Sequence, residues 1–335
     1  MAFTQDYGWF YTDAEIPEGL VPARITQAQR GLYEAAYEDG ETPAKPTGAF
    51  MHEAQDRDGY PAVGDFVLLR PNPRGTAGIV SVLPRKSKFS RTDFSGHAAG
   101  YVKNIREQVV AANFDYVFIL TSLNQDFSAM RVLRYVTQAR QGGGEPVVVL
   151  SKADLADAWE EQAAEVRALA GDVDVLCVSS RTGQGLDDLE RYLQKGTTIV
   201  FLGMSGVGKS SLLNALAGED VMAVKEIRED DARGRHTTTH RELFLLPSGA
   251  MVIDTPGMRE LGLWDADEAI SESFPDIERL ISRCRFSNCR HMAEPGCAVQ
   301  AAIGEGRLSR EQWAAYRSQR GEAEFVRRKT LQKGR

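Results

Sequence analysis

The spacing of apolar positions changes along the chain and divides it into successive stretches. From about Leu20 to Arg91, apolar and polar residues alternate in short runs. "VPARITQ", "VGDFVLLRP" and "AGIVSVLP" read as strands, and "EDGE" reads as a turn. With no convincing helical period among them, residues 20–92 are expected to form a small β-barrel. Residues 1–19 show no period and are expected to be either poorly ordered or a docking segment.

After Gly100 the runs become continuously apolar and end in polar or Gly residues: "NFDYVFILTSL", "PVVVLSK", "VDVLCVSS", "TTIVFLG" and "MVIDTPG". Between several of them lie helical-period stretches, namely "AMRVLRYVTQAR", "DAWEEQAAEVRALAG", "GLDDLERYLQK" and "KSSLLNALAG". Buried strands alternating with helices predict a doubly wound α/β domain over residues 93–268. From Ser271 the pattern is one of short helices around a Cys/His cluster, then a charged helix near "LSREQWAAYRSQRGEAEFVRRKTLQ". Residues 269–335 are therefore expected to form a third, mostly helical domain.

Composition sharpens this only a little. The 335 residues are 42% hydrophobic and 26% charged, ordinary for a soluble multidomain chain. No apolar run approaches the ~20 residues a membrane helix needs. "MAFTQDYGWFYTDAEIPEGL" has no basic or apolar leader region, so the cytoplasm is the expected compartment, with no membrane partner. Charge is less even. Between Glu305 and Arg335, nine Lys or Arg stand against four Asp or Glu, on a chain whose net charge is −7. A basic tail on an acidic body suggests either a polyanionic partner such as nucleic acid or a solvated helical surface.

The first candidate chemistry lies at Gly203, Met204, Ser205, Gly206, Val207, Gly208, Lys209, Ser210 and Ser211. This run fits G-x-x-x-x-G-K-[ST] between a strand and a helix. The glycines let the backbone curl so that successive N–H groups and the helix N-terminus face a phosphate. Lys209 would meet the terminal phosphates, and the Ser210 hydroxyl would coordinate Mg²⁺. Asp254, ending the strand "MVID", can hold Mg²⁺ through water, and the Gly257 N–H can contact a γ-phosphate. Between them, "RGRHTTTH" reads as a mobile loop that offers Thr238 or Thr239 as a further magnesium ligand.

Downstream of Asp254 no [NST]-K-x-D string could read a base. Upstream, Ser151, Lys152, Ala153 and Asp154 supply one at a strand end. The Asp154 carboxylate can accept from the ring N–H and exocyclic amine of guanine, a pair adenine lacks. Lys152 can lay its stem along the base, and the backbone at Ser179 and Ser180 can meet the guanine carbonyl. Ser180 follows Asp154 by 26 residues, and the two loops together point to GTP. Base readers that precede the phosphate loop imply a circular permutation, which a doubly wound sheet permits.

Cys284, Cys289, His291 and Cys297 follow C-x4-C-x-H-x5-C spacing, a donor set for one structural Zn²⁺. Cys177 sits in an apolar run and reads as a small core residue. His52, His97 and His240 lack any such spacing. Small GTPases commonly orient the attacking water with a Gln after D-x-x-G; here Met258 stands there and cannot hydrogen-bond a water. His236 in the loop is the candidate to replace it. A P-loop ATPase or kinase, or an RNA-binding scaffold with a vestigial nucleotide site, remain the competing readings.

In its motif order, and in "SVLPRKSKFSR", "VAANFDYVFIL", "GRHTTTHREL", "DTPGMRELGL" and the Cys/His cluster, the chain resembles the RsgA family of circularly permuted GTPases. That resemblance implies an N-terminal OB-fold, a GTPase core and a C-terminal zinc domain. It also implies a monomer that hydrolyses GTP to GDP with Mg²⁺, with the 30S ribosomal subunit and its 16S rRNA as partner. "RKSKFSR" would offer cations and an aromatic to RNA. The family usually has Asn where this chain has Ser151, so part of the tie between base pocket and phosphate loop should be lost, with guanine selectivity kept.

Overall fold

A computed structural model of the chain describes residues 6–11, 15–29, 31–53, 57–94, 105–123, 127–155, 159–222, 241–254 and 266–331. Its first unit is a closed barrel. Strands β1 (Val21–Gln29), β2 (Leu32–Tyr37) and β3 (Gly40–Pro46) form an antiparallel meander. After the short helix α1 (Gly48–Glu53), β4 (Phe66–Arg70) and β5 (Ala77–Val82) complete the ring. β3 runs parallel to β5, β5 antiparallel to β4, and β4 returns to β1. Ala23, Ile25, Val67, Leu69 and Ile79 fill the interior. The intervening Arg24 and Thr26 are buried too, because the other face of β1 abuts the next unit.

An antiparallel ribbon, β6 (Lys88–Phe94) with β7 (Ile105–Ala112), follows the barrel. The α/β unit then runs β8 (Tyr116–Ser122), α2 (Ala129–Gln141), β9 (Glu145–Ser151), α3 (Trp159–Ala170), β10 (Asp174–Cys177), β11 (Thr198–Leu202), α4 (Lys209–Ala217), β12 (Arg241–Leu245) and β13 (Met251–Asp254). In space the strand order is β10-β9-β8-β11-β13-β12. All neighbours are parallel except β12–β13. β8, β9 and β11 are apolar and almost wholly buried, as strands covered on both faces must be. β12 also pairs with β1, so barrel and α/β unit share one continuous sheet of eleven strands.

Four helices finish the described chain: α5 (Asp267–Ser273), α6 (Pro275–Ser282), α7 (Ala298–Gly304) and the long α8 (Arg310–Leu331). Ile270, Phe274, Ile277, Val299, Trp313 and Tyr316 pack with Leu133 of α2 in one apolar cluster. Residues 9–11 dock on the barrel: Trp9, Phe10 and Tyr11 ring Phe66 at centroid distances of 5.3, 5.5 and 5.7 Å.

The OB-like barrel, the α/β core and the helical C-terminal region are thus all present. Local departures have physical causes. "GLDDLERYLQK" forms only a 3₁₀ stretch, Asp187–Tyr192, where Leu189 and Tyr192 are buried three residues apart, a spacing that eclipses in a three-residue turn. α1 spans six residues, too few to display a helical period. β6 and β12 carry mixed polar sequences whose strand character comes from their partners.

Candidate functional site

The parallel strands β9, β10, β11 and β13 end on one side of the sheet, where ligands of open α/β sheets bind. β11 delivers the phosphate loop. A Cβ on Gly203 would lie 2.4 Å from the Leu120 carbonyl oxygen, so only glycine lets the chain leave β11 this close to β8. Gly208 takes the left-handed region (φ 98°) at the N-cap position of α4 and frees the first N–H groups of the helix to face the loop. The Lys209 ammonium donates to the carbonyls of Gly203 and Met204 at 2.9 and 2.7 Å, folded across the loop it starts from.

Asp254 closes β13 beside this loop. It is 9% exposed, and its Oδ1 has no hydrogen-bond partner among the described residues. Burial raises its pKa, and the charge of Lys209 pulls it back. An orphaned carboxylate oxygen near Lys209, with Ser210 on the first turn of α4, is a hard-oxygen donor set that fits Mg²⁺. His236, Thr238, Thr239, Gly257 and Met258 lie outside the described residues.

The base-reading loops meet the phosphate loop at the same edge. The Ser151 hydroxyl donates to the Val207 carbonyl at 2.6 Å, so the shorter side chain still spans from base pocket to phosphate loop with one bond. Lys152, with φ 61°, donates from Nζ to the Gly206 carbonyl at 2.9 Å. Ala153 N–H donates to the Val178 carbonyl at 3.1 Å and fastens the two base loops together. Asp154 accepts from the fully buried Ser179 hydroxyl (2.6 Å) on Oδ1. On Oδ2 it accepts from Nε and Nη2 of Arg181 (2.9 and 2.6 Å). Ser179 first, then Arg181, hold this carboxyl below the usual range. Arg181 was not anticipated: the sequence shows a cation just past Ser180, but nothing in the pattern says that it reaches Asp154.

A second centre lies in the C-terminal region. Cys284 Sγ stands 3.9 Å from Cys297 Sγ and 3.4 Å from His291 Nδ1, and Cys297 Sγ stands 3.6 Å from that nitrogen. Together with Cys289, all four ligand atoms fall within 4.8 Å of one another. A tetrahedron with Zn–S bonds of ~2.3 Å separates its sulfurs by about 3.8 Å, so the donor set and its spacing fit one closed zinc site. The knuckle is built to hold it. Glu294 accepts from the N–H groups of Arg290 (2.9 Å), Met292 (2.8 Å) and Ala293 (3.1 Å), and Gln300 donates to the His291 carbonyl at 2.7 Å.

Within the cationic run "RKSKFSR", Arg85 and Phe89 turn inward, whereas Lys86 and Lys88 stay exposed. Arg85 forks onto buried Asp65 at 2.7 and 2.6 Å, Lys86 pairs with Asp115, and Phe89, 3% exposed, stacks on Phe114. These groups build the junction beneath the barrel instead of forming an open stacking platform. In the basic tail, Arg307, Arg320, Arg327 and Arg328 hold ion pairs with the chain's own carboxylates. Among the described residues no helix is long and apolar enough to cross a membrane.

Comparison with known proteins agrees with this geometry. The structure is similar to the crystal structure of YjeQ from Thermotoga maritima, with TM-score 0.65, 25% identity, and coverage of 91% of this chain and 98% of that one. It is also similar to the crystal structure of YloQ, a circularly permuted GTPase, with TM-score 0.58, 25% identity and coverage of 93% of this chain and 98% of that one. In sequence it is 41% identical to the small ribosomal subunit biogenesis GTPase RsgA 2 of Lactiplantibacillus plantarum, across 92% of this chain and 84% of that protein. A model of the RsgA GTPase family matches residues 82–264. With base-reading loops that precede the phosphate loop yet meet it at one sheet edge, the chain belongs to the RsgA GTPase family.

Proposed function

We propose that this GTPase is a switch in the maturation of the small (30S) ribosomal subunit, acting in the cytoplasm as a monomer that binds 16S rRNA. The supporting observation is the join between the two halves of the site: Ser151 and Lys152 reach the phosphate loop, and Asp154 stands beside the same edge. The name of the Lactiplantibacillus relative supplies the ribosomal role.

In this reading Asp154 selects guanine, Lys152 and the Ser179–Ser180 backbone bound the base, and the Gly203–Ser211 loop encloses the phosphates. Lys209 turns from its own loop carbonyls to the β- and γ-phosphate oxygens, which are far stronger acceptors for an ammonium. Ser210 and Asp254, with Thr238 or Thr239, would hold Mg²⁺, which would supply positive charge to offset the negative charge on the phosphate oxygens. Met258 cannot orient water, so His236 positions the attacking water when the ribosome is bound, and unaided hydrolysis is slow. Zn²⁺ on the Cys/His set is structural and takes no part in the reaction.

The test is GTP turnover by the purified chain with and without small ribosomal subunits. Strong stimulation is expected, abolished in His236→Ala. Equal, slow turnover in both would rule out the ribosomal trigger.

A further inference from the structure

We propose that Arg181 is an internal stand-in for guanine, a residue that pairs with the base-reading carboxylate and must be displaced before nucleotide binds. The idea rests on the reading of Asp154 as the guanine selector. Guanine offers Asp154 two N–H donors side by side on one planar edge. A guanidinium offers the same kind of edge, and here Nε and Nη2 of Arg181 approach Oδ2 together at 2.9 and 2.6 Å. Oδ1 is held by Ser179, which also accepts from the Thr182 N–H at 3.2 Å and is fully buried. Guanine's two donors need both oxygens, and the one that Ser179 leaves open is the one Arg181 covers.

The two partners differ in freedom. The Asp154 side chain is 10% exposed and fixed by Ser179, whereas that of Arg181 is 71% exposed. Among the described residues Arg181 holds only this ion pair, so it can swing into solvent by breaking it, and water then satisfies its donors. The closed arrangement keeps a largely buried carboxylate satisfied when no base is present. It also lowers apparent affinity, because only molecules with Arg181 displaced can accept the base. Displacement precedes recognition, so guanine and adenine nucleotides meet the same barrier; selectivity stays with Asp154, and Arg181 sets how readily the site fills.

Stopped-flow binding of a fluorescent GDP to the full chain tests this, using wild type, Arg181→Ala, Arg181→Lys and Asp154→Ala. Removing a partly exposed pair should raise association and affinity about fivefold in Arg181→Ala. Arg181→Lys should fall between, since an ammonium keeps the charge but not the planar fork. The gap between wild type and Arg181→Ala should narrow as salt screens the pair, and the preference for GDP over ADP should not change. Unchanged or weaker binding in Arg181→Ala overturns the proposal; weaker binding would mean that the arginine stays to hold the base. Asp154→Ala separates the two ideas. If it keeps the guanine preference, the reading of Asp154 fails; if it loses that preference while Arg181→Ala behaves as wild type, only the stand-in falls.

Discussion

Residues 21–82 and residues 283–297 both hold their shape with little helix, yet by opposite means. In the barrel, backbone hydrogen bonds pass from strand to strand until β4 returns to β1, and a small apolar interior is sealed on all sides. Between α6 and α7 there is neither strand nor helix. There the backbone donors turn onto the Glu294 carboxylate, and Phe286 and Met292 stand 41% and 63% exposed instead of filling a core. Some sixty residues can bury enough apolar surface to close a barrel, whereas fifteen cannot, and the shorter stretch gathers metal ligands in place of a core.

Removing the metal should break this comparison most severely. Structural zinc contributes ~10–16 kcal/mol in small knuckles. Chelation at neutral pH, or Cys289→Ala, should therefore strip amide-exchange protection from residues 283–304 and loosen α8, while β1–β5 stay protected. If chelator leaves the C-terminal region as slow to exchange as before, no metal is holding it.

The barrel's own weak point is its seam with the α/β unit. Arg24, 1% exposed, donates to the Asn113 carbonyl and the Thr198 hydroxyl at 2.9 Å each, and also to the carbonyls of Tyr7 and Gly64. Its guanidinium lies 4.6 Å from the Phe66 ring centre, and burial pushes its pKa down to about 10. A buried cation facing carbonyl oxygens joins the N-terminal segment, β1 and the strand that leads into the phosphate loop. Arg24→Leu would strand those acceptors, and a loss of ~3–5 kcal/mol in denaturant unfolding is expected. A melt unchanged from wild type would mean that the β1–β12 pairing alone secures the seam.

These two regions also mark what the sequence disclosed. C-x4-C-x-H-x5-C is a spacing in the chain itself, and so are the glycines, Lys209 and Asp254 of the phosphate site; each could be read locally. Arg24 could not. It sits in a run of alternating residues where a polar position implies solvent, and only Tyr7, Gly64, Phe66, Asn113 and Thr198, brought from elsewhere in the chain, bury it. Arg85 and Phe89 show the same limit: read as a cation and an aromatic open to RNA, they are drawn inward by Asp65 and Phe114, distant in sequence, while Lys86 and Lys88 stay exposed. Side chains whose partners lie close in sequence were legible, whereas those answering to a tertiary neighbour were not. Arg181 falls between, being in view as a cation but without a visible target.

The nucleotide site repeats the contrast on a smaller scale, since the phosphate loop is shaped by backbone and tied to the base loops by single side chains. Ser151→Ala removes the 2.6 Å bond to Val207 and should weaken GTP binding by about 1 kcal/mol, roughly fivefold. Ser151→Asn should bind at least as tightly as the parent, because an amide can reach the same carbonyl and still offer a second donor. Equal affinities in all three chains would mean that the loop holds its shape unaided.

The smallest effect is expected at the other seam, where the C-terminal helices meet the α/β unit. Arg134 on α2 forks onto Glu322 of α8 at 2.6 and 2.9 Å, but the two side chains are 33% and 32% exposed. Water screens such a pair, and the apolar cluster around Leu133, Ile270 and Trp313 lies beside it. A double-mutant cycle of Arg134→Ala with Glu322→Ala should return a coupling of no more than ~1 kcal/mol, falling as salt is added. Chelation should disturb this seam far more than either alanine, because Cys297 caps α7 and the His291 ring lies 5.5 Å from Trp313 of α8. A coupling that rivals the loss at Arg24 would instead mean that the C-terminal region is docked by charge, and that its metal shapes only the knuckle.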